Sequence, residues 1–135
     1  MRASGTFSVL SFTATEVVPE PAIAAGVPVG VARMEKRFEG AVSGRAATLF
    51  TSAFDQEREV GTYVAMESFE GTLNGVAGAF CFTHSATTTG ADRLSPFFVI
   101  VPGSGTADLD GITGSGGIVI DPDGTHRIWF DYELG

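Results

Sequence analysis

Apolar and polar side chains alternate with period two along most of this chain, and almost nowhere with the period of a helix. Gly30–Phe38 is the clearest case. Ala32, Met34 and Phe38 share one face and Arg33, Glu35 and Arg37 the other, which predicts a strand with one buried and one solvated side. Lys36 interrupts this by falling on the apolar face. Ser4–Thr13 places Phe7 and Val9 on one face and Leu10 and Phe12 on the other. After a turn at Glu39-Gly40, Ala41–Phe54 reads as a third strand. Val60–Phe69 and Thr72–Thr87 form a hairpin about Glu70-Gly71, with Asn74-Gly75 as the alternative turn. Leu94–Val101 is a sixth strand, with Pro96 at its entrance. Gly117–Ile120 is a seventh. His126–Leu134 is the last, with Ile128, Phe130, Tyr132 and Leu134 set against Arg127, Trp129, Asp131 and Glu133.

The breaks between these runs have their own chemistry. Pro19, Pro21 and Pro28 make Thr15–Val29 a connecting loop, and the charged run Asp55–Glu59 is solvated. Asp121–Gly124 (DPDG) has proline and glycine where a turn wants them. Eight strands joined by short links, with no βαβ spacing, predict one all-β domain over residues 1–135 and an antiparallel up-and-down β-barrel. A barrel leaves no open edge, and one of eight strands is just wide enough to hold a small ligand. A two-sheet sandwich is the competing architecture.

Composition narrows the function classes. Sixteen acidic against eight basic residues give a net charge of −8, which repels phosphate backbones and argues against a nucleic-acid partner. The single cysteine, Cys81, sits in an apolar run and reads as a small buried side chain, with no disulfide or metal spacing available to it. Arg2 is followed by an alternating pattern instead of a continuous apolar block, and no segment is apolar enough to span a bilayer as a helix. The expectation is a soluble, cytoplasmic chain with no membrane partner.

The run Val99–Gly117 (VIVPGSGTADLDGITGSGG) carries Gly103, Gly105, Gly111, Gly114, Gly116 and Gly117. A phosphate-binding loop needs a lysine that this run lacks, and a dinucleotide turn needs a third glycine where Asp108 stands. The aspartates Asp108 and Asp110 would repel phosphate; a cation between them lacks further ligands. The run therefore reads as a crossing at the barrel rim. A short helical turn at Thr106–Leu109 would cap one end, with Leu109 and Ile112 as plugs.

Two polar residues stand out on aromatic faces. Glu67 is in phase with Tyr63 and Phe69, and His84 with Phe80 and Phe82. Inside an apolar lumen they would act as a general acid and base, or be satisfied structurally by neighbours. Lys36 either snorkels to the barrel end or needs a carboxylate partner. Tyr132 is a ligand donor or a core residue with a wet hydroxyl. Trp129 lies on the charged face and, if exposed, marks a subunit interface of a homo-oligomer. His126 lies in a turn and reads as solvated. A zinc site has no supporting histidine spacing, and a triad of Ser104, His84 and Glu67 has no nucleophile-elbow motif behind it.

The segments GTFSV, KRFEGAVSG, YVAMESFEGTLNGVAGAFCFTH, VPGSGTADLDGITGSG and WFDYEL together resemble a bacterial domain-of-unknown-function family whose members are similar in fold to allene oxide cyclase. The resemblance covers nearly the whole chain, less well at Pro19–Pro28. It implies a small closed antiparallel barrel and carries over no catalytic residue.

These readings converge on a small-molecule-binding barrel. The leading expectation is a cofactor-independent cyclase or isomerase acting on a small apolar metabolite in the lumen. Glu67 and His84 would move protons, and Tyr63, Met66, Phe80, Phe82, Phe98, Tyr132 and Lys36 would contact the substrate. A non-catalytic barrel that carries a hydrophobic ligand, or a structural subunit, are the alternatives.

Overall fold

The computed structural model describes residues 1–135. Eight strands follow one another: β1 (Arg2–Ala14), β2 (Val29–Gly40), β3 (Val42–Asp55), β4 (Val60–Leu73), β5 (Val76–Thr89), β6 (Leu94–Ile100), β7 (Thr113–Ile120) and β8 (His126–Glu133). Each pairs antiparallel with the next. β1 returns to β8, from Arg2 opposite Asp131 to Phe7 opposite His126, so the sheet closes into a barrel. The only helical element is a 3-10 turn at Ala107–Leu109. No helix is long and apolar enough to cross a membrane.

Alternation sends one residue in two to the interior, and one half of that interior is solid. Phe38, Phe69, Phe80, Phe82 and Phe130 are fully buried, with Phe69–Phe80, Phe80–Phe130 and Phe82–Phe130 centroids 5.1, 5.3 and 5.1 Å apart. Each such ring contributes about 1.5–3 kcal/mol by leaving water. Leu109 and Ile112, both 0 % exposed, seal this closed end as the glycine-rich run crosses it.

That crossing also completes the wall. β6 pairs with β5 only as far as Ile100 opposite Phe82, which would leave Ala77–Cys81 with an open edge. The loop supplies the missing partners: Val101 N donates to Cys81 O, Thr106 N to Ala79 O, Ala79 N to Thr106 Oγ1 and Cys81 N to Ser104 Oγ. Between β6 and β7 the ladder shrinks to Ile100 opposite Gly114. There the Phe98 ring fills the place that a side chain at Gly116 would need. On the outer face the Trp129 indole lies where a Gly117 side chain would be, and the Arg2 guanidinium covers it at 5.6 Å. Trp129 is thus half-buried by its own chain.

Several elements depart from the sequence reading. A register shift between Val9 and Ser11 places a bulge at Leu10, which brings Phe12 back to the inner side that Phe7 occupies. Phe12 meets inward-facing Phe50, and Phe7 meets Phe38. The β4–β5 turn falls at Asn74-Gly75, with φ of 50° and 81°, as two-residue hairpins require, and not at Glu70-Gly71. Gly71 sits inside β4 opposite Gly44, and β7 begins at Thr113 instead of Gly117. Cys81 is half-buried on the outer wall beside Ser68. His126 opens β8 and lies against Phe7, with ring centroids 5.0 Å apart.

A Cβ added at Gly71 would lie 2.0 Å from the Ser43 carbonyl oxygen, whereas one at Gly75 would meet nothing within 4 Å. Gly71→Ala is therefore expected to destabilise the fold well beyond the ~1 kcal/mol that a left-handed position costs Gly75→Ala. Urea denaturation of the two variants checks this. The reverse order would restore the turn to Gly71.

Candidate functional site

Midway along the barrel the phenylalanine core gives way to a buried polar cluster: Lys36 on β2, Thr48 on β3, Glu67 on β4 and His84 on β5, none more than 3 % exposed. Strand register assembles it. Lys36 stands opposite Ala46, whose small side chain leaves room for the lysine stem to cross β3 toward Glu67. Lys36 Nζ donates to Glu67 Oε2 at 2.7 Å and lies 4.8 Å from the centre of the Phe7 ring. Thr48, directly opposite Glu67, donates to Oε1 at 2.9 Å. The other contacts are diagonal between β4 and β5. His84 Nε2 bonds Glu67 Oε2, and His84 Nδ1 bonds the Tyr63 hydroxyl at 2.9 Å. Arg93, in the β5–β6 loop, donates to the same hydroxyl at 2.7 Å.

The groups at the two ends set the proton positions. The Glu67 carboxylate only accepts, so His84 carries its proton on Nε2 and donates to it. Burial keeps the imidazole neutral, so Nδ1 accepts from the Tyr63 O–H, whose oxygen in turn accepts from Arg93. The result is a one-way chain, Arg93 to Tyr63 to His84 to Glu67, that ends on a carboxylate also held by Lys36 and Thr48. No buried polar side-chain atom lacks a partner.

Burial raises the Glu67 carboxyl, but the His84 hydrogen bond and the Lys36 charge outweigh it and leave the group below its usual 4.5. Burial also drives His84 below its usual 6.5, and the Glu67 carboxylate only partly offsets this. Tyr63 is raised by burial, against the pull of Arg93. The cluster is therefore a neutral imidazole beside a compensated ion pair.

Above this cluster the barrel opens into a cup of about 1020 Å³, lined mainly by small and apolar side chains from the mouth ends of the strands and by the loop carrying Arg93. Tyr63 reaches from the cluster into the cup, its ring stacked on Phe50 at 5.0 Å.

The sequence reading meets this geometry unevenly. Glu67, His84 and Tyr63 come together as their shared phase implied. Lys36 does not snorkel: a carboxylate lies within reach, so the ammonium stays inside. Met66 is 48 % exposed on the outer wall, because alternation that turns Glu67 inward turns Met66 outward. Phe80, Phe82 and Tyr132 do face inward, but in the solid half, where the packed rings fill the lumen. The Tyr132 hydroxyl accepts from Asn74 Nδ2 there. Phe98 stacks on Phe82 and His84 at 5.3 and 5.9 Å and does not line the cup. Ser104, tied to Cys81 and Val101, takes no part in the cluster. Thr48, Phe50 and Arg93 were missed. Thr48 and Phe50 share the inward phase of Ala46, so alternation alone could have found them; Arg93 lies in a loop, where no periodicity exists.

The ion pair and the histidine give two expectations. Glu67→Gln leaves the Lys36 ammonium buried without a counter-charge and is expected to cost about 3–5 kcal/mol, while adding Lys36→Met to it recovers much of that loss. Costs in urea denaturation that simply add would disprove the coupling. His84 binds its proton less readily folded than unfolded. Its contribution is therefore complete above 6.5 and is lost as the pH falls from 6.5 toward its lowered folded value. The melting temperature is expected to fall over that window and His84→Gln to flatten the fall; a slope unchanged in the variant would assign it elsewhere.

Comparison with known proteins adds a family. No curated protein matches the chain. Over its whole length the fold superposes on a crystal structure of a protein with unknown function from the DUF3224 family of Shewanella oneidensis MR-1, at 27 % identity and a TM-score of 0.86, covering 97 % of that chain. The model of that family, described as protein of unknown function (DUF3224), matches residues 3–132. With that match spanning all eight strands, the chain belongs to the DUF3224 family.

Proposed function

We propose that this barrel binds a small apolar molecule in its cup and shuttles a proton on it through Tyr63, without a cofactor, as an isomerase or cyclase would. The observation that carries this reading is the continuous chain from the cup surface at Tyr63 to buried Glu67. Such a chain can work in both directions. A proton leaving the bound molecule passes to the Tyr63 oxygen as the Tyr63 proton passes to His84 Nδ1. The imidazolium so formed is stabilised by the Glu67 carboxylate. The reverse passage returns a proton to a different atom, so the molecule is rearranged with no net gain or loss. A neutral His84 is the form needed to accept, and its burial favours that form.

One observation favours a plain binding barrel instead: every member of the cluster is satisfied by the others, which a purely structural network also achieves.

Two measurements separate these readings. Nile red, a neutral apolar dye, is expected to bind with a blue shift in emission, and Ser52→Trp, which fills the cup from β3, is expected to abolish that binding with an unchanged far-UV spectrum. Dye binding indifferent to this variant would remove the cup from consideration. In deuterated buffer the protein is expected to exchange the acidic C–H positions of 2-decanone, and Tyr63→Phe to slow this by about 100-fold or more. Exchange no faster than in buffer overturns proton transfer and leaves the binding barrel.

A further inference from the structure

Resting on the reading of the cup as a binding site, we infer that its natural occupant is an apolar molecule with a single carboxylate, held by Arg93 at the rim. Arg2, Arg45, Arg58 and Arg127 each face an acidic side chain, as Lys36 does inside the barrel. Arg33 and Arg37 lie on the outer wall of β2. Arg93 is the one basic side chain that borders the cup, and it forms no ion pair. Its neighbour Asp92 is occupied elsewhere: Oδ1 accepts from Thr89 N and Oδ2 from Thr89 Oγ1, each at 2.7 Å.

An unpaired cation at the edge of an apolar cavity selects for an anionic head on an apolar body. The guanidinium is already oriented for this. It lies over the Tyr63 ring at 5.6 Å and gives one N–H to the Tyr63 hydroxyl. Four N–H groups remain, enough for the two-pronged grip that a guanidinium makes on a carboxylate. One cation beside Asp92 suits a monoanion better than a phosphate dianion. A carboxylate placed there runs its apolar chain into the cup and sets the atoms nearest the head beside the Tyr63 hydroxyl. Arg93 would thus fix which part of the molecule meets the proton relay.

The test is displacement of Nile red by three molecules of equal length: decanoate, 1-decanol and decylamine. Decanoate is expected to displace the dye at a concentration lower by about tenfold or more than 1-decanol, with decylamine weakest. The ratio of the decanoate to the 1-decanol midpoint is read in each variant, so a general change in cup affinity cancels. Arg93→Gln is expected to bring that ratio to about one, and Arg93→Lys to leave it intermediate, since a lysine keeps the charge and loses the fork. Equal displacement by decanoate and 1-decanol, or a ratio that survives Arg93→Gln, overturns the assignment of the carboxylate to Arg93 while the cup stands. Failure of Nile red itself to bind overturns the cup and this inference together.

Discussion

The Lys36–Glu67 ion pair is the interaction on which the interior is organised. A barrel of eight strands must fill its lumen, and apolar rings do this at the closed end. Placing a full charge at mid-height is tolerable only because its opposite arrives from two strands away, with Thr48 and His84 adding a hydrogen bond each to the carboxylate. A pair held this way demands an unambiguous register: a slip of one residue between β2 and β3, or between β3 and β4, would turn one partner outward and strand the other. The cluster also marks the level at which the packed core stops and the cup begins.

Because the pair is compensated, the groups above it are free to be neutral. His84 is pushed toward its uncharged form by burial, and the direction of its hydrogen bonds follows from the donor Arg93 at one end and the accepting, Lys36-held carboxylate at the other. The buried charge in this barrel is therefore confined to one diagonal of β4 and β5 and its flanks. Most of the rest of the inner wall is apolar or small.

Much of this was legible in the alternation of residues. The inward sets of β2 to β5 and of β8 follow period two, and so does the meeting of Tyr63, Glu67 and His84. What alternation cannot carry is what the structure changed. The Leu10 bulge inserts one residue and reverses phase, so Phe7 and Phe12 read as opposite when they are not. Gly71 reads as a turn, yet its absent side chain serves a close crossing with β3, while Asn74-Gly75 turns the chain. Period two gives the face but not the height along the barrel, so Phe80 and Phe82 were assigned to a pocket when they lie beneath it. A charge that a loop brings to the rim of the cup, as at Arg93, leaves no pattern at all.

The separation of a solid end from a hollow one has a consequence for how such a protein can change over time. Every strand runs through both halves, so the backbone is shared, but the side chains that hold the fold together and those that would touch an occupant are different sets. Replacing Ser52 or Ala86 alters the shape of the hollow without opening a void among the buried rings. Substitution around the hollow can therefore proceed while the barrel is kept, and a shared fold is no guide to a shared function.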